Sequence, residues 1–127
     1  MDYFLGIDLG SSSVKVSILD GKKGKSIISC NYPEKEMDIF SIQSGWAEQD
    51  PDYWWECVVS CFKILNKKID FSLVASIGIS YQMHGLVLID KNGKPLRKSI
   101  IWCDSRAVDI GKKVNESIKS KIISKNL

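Results

Sequence analysis

Apolar and polar positions change their spacing several times along the chain, and each change marks an element. Residues 3–9 are a short, mostly apolar run ending at Gly10, the pattern of a strand buried on both faces. Residues 13–19 alternate instead, with Val14, Val16 and Ile18 on one side and Ser13, Lys15 and Ser17 on the other. Gly10-Ser11-Ser12 between them is turn chemistry, so the two runs are expected to pair as a hairpin. Residues 20–24 supply a second turn and 26–32 a third strand, completing an antiparallel meander. Residues 37–49 carry no period and read as loop.

The spacing then becomes helical. Asp50 suits an N-cap and Pro51 the first helical position. Trp54, Val58, Cys61, Phe62 and Leu65 recur on one face up to Lys67 and Lys68. Residues 73–81 read as a strand interrupted at Gly78, and 85–90 as another. Asn92-Gly93 forms a hairpin turn, and 99–102 a short edge strand. A second helix is expected from Asp104 or Ser105, with Val108, Val114, Ile118 and Ile122 along one side. The order is βββ-α-ββ-α, an α/β mixed sheet with flanking helices. The last helix lacks a Gly or Pro stop and nothing after it closes the sheet, so an incomplete domain is expected.

Composition narrows the class. The chain has 127 residues, 44% apolar and 26% charged, which supports one folded domain and excludes wholesale disorder. No apolar run reaches the roughly 18–20 residues of a membrane span, and no basic segment precedes the first apolar run. A soluble, cytoplasmic protein is expected, with no membrane partner. The net charge of +3 is uneven: residues 111–127 hold five lysines and one glutamate, which leaves residues 1–110 slightly acidic. Sixteen of the eighteen cations are lysines, so a solvated helix face is expected rather than a nucleic-acid surface. Cys30, Cys57, Cys61 and Cys103 lack paired short spacings and His84 is the single histidine, so core thiols are expected rather than zinc.

Candidate chemistry gathers at two places. A carboxylate at a buried strand end, Asp8, is costly without a cation or donors nearby. The turn after it offers backbone N–H groups from Gly10 onward and the hydroxyls of Ser11, Ser12 and Ser13, and Lys15 shares a face with Ser13. Two readings stand: a phosphate site with Asp8 acting on Mg²⁺, or a turn in which Asp8 and the serines satisfy each other locally. The spacing is not that of a P-loop. The second place is Gln82-Met83-His84-Gly85, where a lone imidazole at a strand end reads, on the residues alone, as a structural group. Asp104 and Arg106, on the residues alone, fit an N-cap with an ion pair.

These residues carry a resemblance. The hairpin at 6–15 is similar to the first phosphate-binding loop of the actin-like ATPase superfamily, which implies an RNase H-like fold. Gly45-Trp46-Ala47-Glu48-Gln49-Asp50-Pro51-Asp52-Tyr53-Trp54-Trp55 resembles the G-W-x-E-Q-D-P-x-x-W-W segment of the FGGY carbohydrate kinases. Gln82-Met83-His84-Gly85 resembles their xylulokinase branch, where glycerol kinases carry Arg-Glu. Trp102-Cys103-Asp104-Ser105-Arg106 resembles the family's W-x-D-x-R motif. The resemblance implies that residues 1–127 are the N-terminal portion of the family's first domain. It implies ATP and Mg²⁺ at Asp8, Gly10, Ser11, Ser12, Ser13 and Lys15. It implies a sugar, D-xylulose first, at Gln82, Met83, His84, Trp102, Asp104 and Arg106. It also implies a catalytic Asp beyond residue 127, so the fragment alone is expected to be inactive.

Two other classes remain open on the residues. One is an RNase H-like nuclease, which needs Asp90 and Asp104 to converge on Asp8. The other is a non-catalytic ligand-binding or interaction module. An uncovered sheet edge would favour self-association, for example as a homodimer.

Overall fold

The computed structural model describes residues 2–118. Strands β1 (Tyr3–Leu9), β2 (Val14–Asp20) and β3 (Lys25–Tyr32) form the expected meander. A two-residue strand, β4 (Glu48–Gln49), ends the long loop, and helix α1 (Pro51–Leu65) follows. After a short 3-10 helix (Phe71–Leu73) come β5 (Val74–Tyr81), the two-residue β6 (Ser99–Ile100) and helix α2 (Val108–Ser117). The main sheet has the order β3-β2-β1-β5, with β5 parallel to β1, and β4 pairs antiparallel with β6.

Local chemistry accounts for α1. The Asp50 carboxylate accepts from the Asp52 N–H at 3.0 Å and Pro51 takes the first turn. The stripe Trp54, Cys57, Val58, Cys61 and Leu65 is buried against β2 and β3. It meets Val14, Val16 and Ile18, all at 0% exposure, together with Leu5 and Ile7.

Several expectations need correction. β1 is buried on one face only: Leu5 and Ile7 face the helix, while Phe4, Gly6 and Asp8 face out. Gly78 does not interrupt β5, because it lies opposite Gly6 in an unbroken stretch of ladder. Residues 85–90 make no strand. Leu86 bridges Ile100 and Ile89 bridges Pro95, so the pairing slips by two residues between the bridges, and Pro95 has no N–H to extend the ladder. Asp90 instead accepts the N–H groups of Asn92 and Lys94, closing the turn. α2 begins at Val108 rather than 104–105, although the Asp104 carboxylate accepts the Arg106 N–H at 2.9 Å in a cap-like turn while its other oxygen takes the Ala47 N–H. Ile122, placed with that helix, lies outside the described residues. Cys57 and Cys61 are core thiols, Cys30 is half-buried, and Cys103 is exposed. Burial pushes the Cys61 thiol up to about 12.

Candidate functional site

Because β1 and β5 are parallel neighbours, their C-terminal ends lie at the same edge of the sheet. This is where open α/β sheets gather ligand-binding loops. β1 leads into the turn at 10–13, and β5 leads into Gln82-Met83-His84. The Gln82 N–H donates to the Leu9 carbonyl at 2.9 Å, which joins the two exits.

The turn is tight. The Gly10 N–H donates to the Ser13 carbonyl at 3.1 Å, and a Cβ at Gly10 would sit 3.1 Å from that same oxygen. Among the described residues, no acceptor takes the N–H of Ser11, Ser12 or Ser13. Asp8 pairs in register with Lys15 on β2 and Ser80 on β5, on the outward face of the sheet. Gly6 and Gly78 leave that face without side chains beside Asp8, in an open trough of about 370 Å³. The Asp8 carboxylate makes no hydrogen bond or ion pair among the described residues. Of the two readings of Asp8, local satisfaction by the serines is therefore absent. An exposed carboxylate with a lysine across the ladder and free N–H groups at the strand end fits a metal–phosphate group.

Gln82, Met83 and His84 line one cleft of about 490 Å³ with Leu9, Tyr81 and Ser99. His84 has φ 61°, a left-handed conformation uncommon for a residue with a Cβ. Both side-chain amide atoms of Gln82 are buried without a hydrogen-bond partner among the described residues. An orphaned amide and a strained backbone within three residues are features that accumulate at ligand-binding segments.

The W-x-D-x-R residues are placed differently from one another. Trp102 is absent from the cleft lining, and its indole N–H donates to the Ser11 hydroxyl at 3.3 Å. Asp104 and Arg106 do not reach the cleft either. The Asp104 carboxylate accepts from the Ala47 N–H at 2.7 Å and from the Arg106 guanidinium at 2.7 and 2.9 Å. Arg106 also donates to Glu48 at 2.7 Å, Arg97 pairs with the same Glu48, and the Arg106 guanidinium stacks 3.8 Å over the Trp46 ring. Glu48 and Asp104 are almost completely buried, and two arginines balance their charges. The Arg106 guanidinium, against the upward push of burial and with help from the Ala47 and Arg106 backbone N–H donors, holds Asp104 down at about 2. Of the readings left open for these two residues, the structure shows the ion pair. Gly45, at φ 80°, lets its carbonyl accept from the Ser105 N–H at 2.8 Å, which closes the same loop.

Glu48, Gln49 and Arg97 are the residues that sequence reasoning did not single out. Gln49 is 1% exposed. Its Nε2 donates to the Ser11 carbonyl at 2.6 Å and the Asp38 carbonyl at 3.4 Å, and its Oε1 accepts from the Trp54 indole at 3.2 Å. The one signal available was a Glu-Gln pair inside an otherwise aromatic and turn-rich segment. The nuclease reading has no support here: Asp90 is engaged by its own turn and Asp104 by Arg106. Among the described residues, no group of three metal-ligating side chains converges.

Comparison with known proteins agrees with this geometry. Residues 3–127 match the model of the FGGY family of carbohydrate kinases, N-terminal domain. A xylulose kinase of Staphylococcus epidermidis is 40% identical over 104 residues, 80% of this chain and 20% of that protein. A solved structure described as a xyloylose kinase from Brucella ovis superposes with a TM-score of 0.81 at 31% identity, covering 91% of this chain and 24% of that one. The gluconate kinase of Lactobacillus acidophilus superposes equally well, with a TM-score of 0.81 at 29% identity, covering 91% of this chain and 23% of its own. The chain thus spans about a fifth of the length of the curated relatives it matches. Its sheet is that of kinases with the actin-like ATPase fold, and the chain belongs to the FGGY family of carbohydrate kinases.

Proposed function

We propose that this chain is the N-terminal portion of an ATP-dependent sugar kinase whose sugar is D-xylulose. The observation that carries the reading is the meeting of two unlike exits at one sheet edge. The donor-rich turn after β1 stands beside the Gln82-Met83-His84 cleft after β5, so a phosphate donor and a hydroxyl acceptor can be brought together. The N–H and O–H groups of Ser11, Ser12 and Ser13 donate to phosphate oxygens, and Lys15 adds a positive charge. A Mg²⁺ held near Asp8 would neutralise phosphate charge. In the cleft, His84 and the orphaned Gln82 amide pair with sugar hydroxyls while Met83 supplies the wall. The acceptor hydroxyl must also lose its proton, and we place that base, an aspartate, beyond residue 127. The isolated 127 residues accordingly turn over no ATP. D-xylulose is favoured over other sugars by the Met-His pair and by the names of the relatives; fold similarity does not separate it from gluconate.

The test is ADP release by the longer protein carrying this chain, with D-xylulose, glycerol, L-ribulose and gluconate offered in parallel. D-Xylulose is expected to be preferred. His84→Ala is expected to lower kcat/KM for it by about 10- to 100-fold, the scale of one or two lost hydrogen bonds. Preference for another sugar would keep the kinase and remove the substrate assignment. Sugar binding without turnover of any of the four would leave a non-catalytic binding module.

A further inference from the structure

We propose that Gln49 is a positioning residue for phosphoryl transfer, acting by setting the direction of the peptide N–H groups in the turn after β1. The inference rests on the kinase reading above and adds to it a residue that touches neither substrate.

The chemistry of the amide fixes its orientation. The Trp54 indole is a donor only, so it must face the Gln49 oxygen, and Nε2 is then turned toward the carbonyls of Ser11 and Asp38. No other side chain of similar size supplies an acceptor on one side and two donors on the other. Consequently the Ser11 carbonyl is drawn toward Gln49, at 2.6 Å. In a trans peptide the carbonyl and the next N–H point in opposite directions, so the Ser12 N–H points away from Gln49. The same geometry repeats one residue on. The Met37 N–H donates to the Ser12 carbonyl at 2.9 Å, which turns the Ser13 N–H away as well. These are N–H groups for which the described residues offer no acceptor. Two successive outward N–H groups make an anion-binding concavity, and its direction is set from behind by Gln49 and Met37. Trp102 adds a third hold. By donating to the Ser11 hydroxyl oxygen at 3.3 Å, it leaves that hydroxyl's own hydrogen for another acceptor.

β4 explains why Gln49 is rigid enough for this. Its two side chains leave the strand in opposite directions. Glu48 is locked by Arg97 and Arg106 on the side of the 97–106 loop, and Gln49 spans to the turn.

The experiment compares wild type, Gln49→Met and Gln49→Glu in the longer protein. Gln49→Met is expected to raise KM for MgATP or lower kcat by about 10-fold or more, while KM for the sugar stays within about twofold. In Gln49→Glu a carboxylate faces two carbonyl oxygens. Its kcat/KM for ATP, relative to wild type, is expected to rise as pH is lowered and the protonated carboxyl regains a donor. Gln49→Met is expected to show no such recovery. Equal losses in the ATP and sugar constants, or wild-type kinetics in Gln49→Met, would overturn the proposal. Hydrogen exchange separates its failure from that of the kinase reading. The Met37 amide, released with the turn, is expected to exchange at least about 10-fold faster in Gln49→Met, with β2 amides unchanged. Unchanged exchange at Met37, or acceleration everywhere alike, overturns the positioning role. If wild type phosphorylates no sugar, the kinase reading fails, and exchange at Met37 still decides what Gln49 holds.

Discussion

The two halves of the main sheet face the same way and are treated in opposite ways. On β2, Val14, Val16 and Ile18 are sealed beneath α1 at 0% exposure. On β5, which is in register with β1 beside it, Ile77, Ile79 and Tyr81 are 56%, 65% and 66% exposed. The residue types are much alike, and what differs is whether a helix lies over them. α1 covers β2 and β3, while α2 buries none of its residues, with Val108, Ile110 and Val114 exposed among the described residues. Apolar character alone therefore does not make a core. The half that is finished is also the half whose order carries the turn at 10–13.

The comparison is broken most directly by truncating one residue on each side. In the 127-residue chain, Leu65→Ala is expected to cost about 2–5 kcal/mol in urea denaturation, as for other fully buried leucines. Ile79→Ala is expected to cost under about 0.5 kcal/mol. Equal costs would mean that the β5 face is covered in solution. A large cost for Ile79→Ala appearing only in the longer protein would show that its remaining residues complete the sheet.

A second contrast lies between the buried ion-pair cluster and the exposed Asp8. Asp104 is ionised in both folded and unfolded chains above its ordinary value of 3.8, so its contribution to stability is complete there. As pH falls from 3.8 toward about 2, the unfolded chain takes up the proton first and the contribution is lost. The gap in urea midpoint between wild type and Asp104→Asn is thus expected to be constant at neutral pH and to close through that acidic window. A gap that persists unchanged below it would argue for packing rather than charge.

The smallest effect sharpens the distinction between stability and site. His84→Gly removes a left-handed residue with a side chain and is expected to stabilise the fold by about 0.5–1 kcal/mol while lowering kcat/KM for the sugar in the longer protein by about the same 10- to 100-fold as His84→Ala. Loss of stability instead would show that the imidazole is a structural group.

Much of the finished half was legible because its signals are local. The alternation at 13–19, the turn chemistry at 10–12 and the Asp50-Pro51 helix start each depend on neighbours a few residues away. The failures share the opposite property. Residues 85–90 have strand-like composition, but pairing depends on a partner interrupted by Pro95. One-sided burial of β1 depends on which elements arrive over it. The site divided in the same way. The turn, Gln82-Met83-His84 and the Asp104–Arg106 pair could be read as motifs, yet what ties Glu48, Gln49, Asp104 and Arg106 to the rest of the fold are partners 38 to 58 residues distant. A local pattern carries no record of such partners.

The two-residue strand β4 also constrains how the loop before it can change in length. Successive side chains on a strand point to opposite sides, so a slip of one residue exchanges their destinations. Phe40 bridges Glu48 and Gln49 pairs with Ser99, which fixes the register from both flanks. A single insertion or deletion that shifted this register would turn an amide toward the arginines and a carboxylate toward the Ser11 carbonyl. The 41–47 loop can therefore lengthen only by bulging outward between fixed ends, whereas the exposed turn at 91–94 is bound by no such parity.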